Sequence, residues 1–89
     1  MKNFVKLLHK ERYIHWEVSP KEHVLLFKND NRFLLSHSND DSLVSVVFDI
    51  NEDEVEVKEV DGVEIEVFDF YKFYTNIQDI TRNIDGILI

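Results

Sequence analysis

The sequence predicts an α+β domain, an antiparallel sheet of about five strands packed by a C-terminal amphipathic helix, with a short helix at the N-terminus. Three observations carry that reading. Apolar residues alternate with polar ones in short runs separated by turn-forming clusters, the mark of half-buried strands. One later run has helical spacing instead: Phe70, Phe73, Tyr74, Ile77, Ile80 and Ile84 fall at i, i+3, i+4, i+7, i+10 and i+14. Finally, 89 residues with 44% hydrophobic and 12% aromatic content leave room for one core, so residues 1–89 form a single domain.

Residues 2–11 place Phe4, Val5, Leu7 and Leu8 on one side of a helix and Lys2, Lys6 and Lys10 on the other. Tyr13 to Val18 alternates as a strand, with Ile14, Trp16 and Val18 facing one way. Two readings compete over residues 20–28. Ser19-Pro20-Lys21-Glu22 has the form of a capping box with Pro at the first helical position. Val24 to Phe27, Asn29-Asp30-Asn31 and Phe33-Leu34-Leu35 equally suit a hairpin, which is preferred. Ser38 to Ser42 is a polar loop, and Leu43 to Ile50, alternating Val44, Val46, Phe48 and Ile50, is a central strand.

Asp61-Gly62 between valine-rich runs is a strong hairpin signal, because both residues tolerate the positive φ of a type I′ turn. It pairs residues 54–60 with 63–68. The apolar phase slips by one residue between Val57 and Val60, so a bulge at Lys58-Glu59 is needed to bring Val57 opposite Ile65 and Val55 opposite Val67 on the buried face. Glu54, Glu56, Glu64 and Glu66 then share the solvent face, with Glu56 opposite Glu66. Like charges so placed cost up to about 1 kcal/mol. The C-terminal helix has Asp69 as N-cap and Gly86 as stop, and Ile87-Leu88-Ile89 must be buried or paired as an edge strand.

Charge is distributed unevenly around a net of −8. Residues 1–37 hold seven Lys or Arg against four Asp or Glu, whereas residues 38–71 hold twelve Asp or Glu against Lys58 alone. Such a field repels nucleic acid and membrane surfaces and attracts basic partners. The basic face of residues 2–12 is too modest to reverse this.

Enzymatic chemistry finds no footing in the residue pattern. The chain has no Cys, which removes disulfides, zinc thiolates and thiol nucleophiles and suits a reducing, cytoplasmic setting. His9, His15, His23 and His37 are scattered and make no HExxH pair. Asp49-Ile50-Asn51-Glu52-Asp53 starts like a calcium loop but continues with Glu54 where the turn glycine belongs and Val60 where the bidentate ligand belongs. Two glycines build no phosphate-cradling loop. No cofactor, metal or catalytic residue is expected, and no stretch has the length of a membrane span or a signal-peptide core.

The candidate partner-binding residues are therefore Asp53, Glu54, Glu56, Glu59, Asp61, Glu64 and Glu66. A row of carboxylates at the interval of alternate strand residues, about 6.5–6.8 Å, fits a basic groove that reads phosphates. Phe73-Tyr74-Thr75-Asn76-Ile77-Gln78-Asp79-Ile80-Thr81 resembles the Phe-Tyr-x-x-Met-Gln-x-Ile-Thr stretch of a small acidic family of anti-CRISPR proteins. Those proteins inhibit an RNA-guided nuclease by occupying its PAM-reading site. The likeness covers nine positions, mostly the apolar stripe of the helix, and transfers no functional residue. It implies a phage-encoded inhibitor acting by DNA mimicry, and the absence of alanine suits the AT-rich genome of a phage or bacterium. The expected partner is a basic, nucleic-acid-binding protein, and the chain itself a monomer or homodimer. An immunity or antitoxin protein that neutralises a basic toxin, and a structural homo-oligomeric module, are the alternatives.

Overall fold

The computed structural model describes residues 13–84 and 87–88. Five strands follow one another as a meander: β1 (Tyr13–Ser19), β2 (Glu22–Asn29), β3 (Arg32–Ser38), β4 (Leu43–Asn51) and β5 (Glu54–Asp61). A single 3-10 turn (Ile65–Val67) leads to helix α1 (Phe70–Thr81), and a two-residue strand β6 (Ile87–Leu88) ends the described chain. The sheet order is β5-β4-β3-β2-β1-β6, and each pairing is antiparallel. The fold is thus α+β, as the alternation implies. The helix expected at residues 2–11 and the stop at Gly86 lie outside the described residues.

Residues 22–29 are strand, because Val24 and Leu26 point into the core from a run that pairs with β1 on one side and β3 on the other. Ser19-Pro20-Lys21 serves as a hairpin turn, with the Lys21 amide donating to Ser19 Oγ at 3.2 Å, and no capping box forms. Between β3 and β4, Asn39 Oδ1 accepts from the Asp41 and Ser42 amides, closing the polar loop as an Asx turn. Glu52 and Asp53 make the tight turn between β4 and β5, both at positive φ (51° and 70°).

Strand alternation sorts the sheet into two faces. One carries Ile14, Trp16, Val24, Leu26, Phe33, Leu35, Val46 and Phe48, all buried, with Val55, Val57 and Val60 half-buried at the β5 edge. Helix α1 lies on this face through Phe70, Tyr74 and Ile77, with the Phe70 ring edge-on to Phe48 at 4.8 Å. Full burial of each large apolar side chain contributes about 1.5–3 kcal/mol. Asp69 caps the helix, its Oδ1 accepting from the Lys72 amide at 3.2 Å. The helix ends at Thr81, earlier than the apolar stripe suggests, and Ile84 follows in a turn in which its amide donates to the Thr81 carbonyl at 3.1 Å. Burial raises the Tyr74 phenol above its ordinary pKa.

The opposite face is covered by none of the described helices. It holds Tyr13, His15, Leu25, Phe27, Leu34 and Val47 together with polar and charged residues.

Candidate interaction surface

The pairing of β5 differs from the hairpin expected around Asp61-Gly62. Strand β5 pairs with β4, in the register Phe48↔Val57, Ile50↔Val55 and Val46↔Val60, and residues 63–68 form no strand. The competition is decided by shape on both sides. Val46, Phe48 and Ile50 offer a matching apolar row reached through a two-residue turn. At Gly62, the chain has φ +96° and passes so close to Leu43 that a Cβ would sit 2.0 Å from its carbonyl oxygen. From there it leaves the sheet for the start of α1.

The bulge survives the change of partner. Val47 opposes Glu59 while Phe48 opposes Val57, so Lys58 is the unpaired extra residue. Val55, Val57 and Val60 consequently stay on the core side despite their shifted spacing. Glu54, Glu56, Glu59 and Asp61 all fall on the uncovered side of the sheet, and all are exposed.

The seven candidate residues thus divide. Four make a row along one edge strand. Asp53 sits at the tip of the preceding turn, exposed and at positive φ. Glu64 and Glu66 leave the row, because their segment is not a strand; they are exposed on either side of Ile65 in the 3-10 turn region. Glu56 therefore opposes Asp49 of β4 rather than Glu66. That contact places like charges opposite each other, and two cations offset it. Arg32 Nε donates to Asp49 Oδ1 at 2.9 Å and its Nη2 to Oδ2 at 3.2 Å, while Lys58 Nζ lies 2.8 Å from Glu56 Oε1 and 4.0 Å from Asp49 Oδ2. The Arg32 hydrogen bond holds the Asp49 carboxyl below the usual carboxylate range, against the opposing effect of partial burial. Among the described residues, Glu54, Glu59 and Asp61 make no salt bridge.

Residues 49–51 belong to β4, so the segment that begins like a calcium loop is extended strand followed by a two-residue turn. Two histidine contacts escape a reading by sequence spacing, since both depend on which strands become neighbours. His15 Nε2 lies 2.7 Å from His23 Nδ1, with the rings stacked, and His37 Nε2 lies 2.7 Å from Glu22 Oε2.

A second feature emerges only in three dimensions. Val63, Ile65, Val67 and Tyr71 are exposed at 39%, 52%, 70% and 61%, and Leu43 at 51%. Beside them an open depression of about 750 Å³ runs along α1, lined by Val44, Val63, Val67, Phe68, Tyr71 and Phe73 among others. In the sequence these valines and Ile65 read as the buried side of a strand. Tyr71, off the apolar stripe of the helix, was the visible sign of an apolar outer surface.

Comparison with protein-family models, with curated proteins and with solved structures returns no match. Among the described residues, no helix is long and apolar enough to cross a membrane.

Proposed function

We propose that the chain is a stoichiometric inhibitor, encoded by a phage or mobile element, that presents the β5 carboxylates to a basic groove of a nucleic-acid-binding protein. A single observation carries the reading. Glu54, Glu56, Glu59 and Asp61 line one face of an edge strand, segregated there by a bulge, and one lysine stands among them. Edge strands are protected from self-pairing by charge, and lysine serves that purpose well. Four acids on one face exceed what protection requires and add repulsion.

Charge density narrows the partner. Eight strand residues span roughly 26 Å, a length over which duplex DNA carries on the order of 15 negative charges. The β5 row carries four. It matches a short cleft that reads a few phosphates or a base edge, and falls far short of a channel that wraps a duplex. Steering by such a row speeds association and is screened by salt.

The test is co-purification from the native host at low salt, followed by transfer of the captured partner to a variant carrying E54K, E56K, E59K and D61K. All four positions are exposed, so the fold should persist, as circular dichroism will show. The expected outcome is a partner that is lost near 1 M salt, where the screening length is about 3 Å, and that the variant does not bind. Undiminished binding by a folded variant overturns the reading.

A further inference from the structure

We infer that the depression along α1 is the anchor site for a basic amphipathic segment of the same partner, an inference that rests on the inhibitor reading above. Val63 and Val67 line the depression, and the stretch between them, Glu64-Ile65-Glu66, is exposed beside it, so apolar residues and acids alternate along the segment. Asp69, which caps the helix, and Asp79, paired with Arg82 at 2.8 Å, stand on its lining together with Lys72. Exposed apolar surface of this kind, rimmed by charge, marks interaction sites on soluble proteins.

The charge decides the occupant. Covering Ile65 and Val67 brings the partner against Glu64 and Glu66, and a carboxylate that loses water needs a cation or donor in exchange. Neither acid makes a salt bridge among the described residues. An anionic membrane or a nucleic acid brings charge of the wrong sign, and a second copy of a chain with net charge −8 is repelled as a whole. A segment bearing an apolar anchor flanked by Lys or Arg satisfies both halves of the surface. The two surfaces lie on opposite faces of the sheet and meet at its β5 edge, where Gly62 links Asp61 to Val63, so a partner that wraps this edge reaches both.

Two synthetic peptides of equal positive charge separate this inference from the one beneath it. One mixes leucine and lysine in helical spacing, and the other replaces the leucines by serine. Each is titrated into isotopically labelled protein and followed by amide chemical shifts. The leucine-containing peptide is expected to move the amides of Val63 to Val67, Tyr71 and Lys72, and to bind roughly tenfold more tightly than the serine peptide, which corresponds to 1.4 kcal/mol. The double variant I65E/V67E, at positions exposed enough to keep the fold, should abolish that advantage. The β5 charge-reversal variant should retain the shifts in residues 63–72 while weakening both peptides. Shifts confined to β5 overturn the anchor site and leave the inhibitor reading standing. Shifts confined to residues 63–72, with no effect of β5 reversal, overturn the carboxylate row instead. A dimer in light scattering that I65E/V67E dissociates assigns the depression to a second copy and overturns the proposed occupant.

Discussion

Gly62 shows how one residue decides between two topologies. Its φ of +96° is open to glycine at little cost, and its Cα approaches the Leu43 carbonyl more closely than any side chain permits. Gly62→Ala meets both a backbone penalty of about 1–2 kcal/mol and a collision with backbone that has no flexible end to yield. A loss of more than about 2 kcal/mol is expected in urea denaturation. The residue was legible as a positive-φ position. Its role was not, since Asp-Gly signals a two-residue hairpin only when the following strand has no better use.

At Asp49 the pH dependence has a definite sign. Its carboxyl is held below the ordinary value by Arg32, so the pair contributes stability above about pH 4, where the unfolded carboxyl is ionised. That contribution disappears as pH falls through the lower, folded value. Asp49→Asn should therefore lower stability at neutral pH and flatten the acid limb of the stability profile. Equal acid limbs in the two proteins would show that the Arg32 pair is energetically silent.

Among the elements, the β4–β5 hairpin holds most of the chemistry. Its turn places Glu52 and Asp53 at φ 51° and 70°, a type I′ geometry that Asn-Gly adopts with far less strain. Replacing the pair by E52N and D53G should raise stability by about 0.5–1 kcal/mol. If the charged turn belongs to the interface, the same variant binds the partner more weakly.

The bulge in β5 was legible because the valine phase slips between Val57 and Val60, a purely local record. The strand across from it was not, because β4 and residues 63–68 present similar apolar alternation and pairing is settled by competition between distant segments. Helix α1 and its Asp69 cap were legible from spacing alone. Its end at Thr81 was not, since Ile84 continues the stripe from a turn.

For the molecule as a whole, alternation sufficed to identify an antiparallel sheet with a helix on one face, and charge bookkeeping located the acidic half. What escaped was the separation of the acids into two neighbourhoods. Glu54, Glu56, Glu59 and Asp61 face away from the helix, while Glu64 and Glu66 stand exposed at the 3-10 turn that leads into it. Local sequence records which residues are charged and how they alternate. Which side of the molecule they reach depends on where the chain leaves the sheet.

The strand order has a kinetic consequence. From β1 to β5 each strand pairs with its neighbour in sequence across a short turn, so the entropic cost of closing each loop is small. The pairing of β6 with β1, Ile14↔Leu88, instead joins segments from opposite ends of the described chain. Loop closure makes that contact the slowest to gain, and only two residue pairs reward it. The sheet can assemble hairpin by hairpin from either direction, with β6 closing the β1 edge last. Until it does, β1 offers a second open edge, with Glu17 as its one carboxylate against the four on β5.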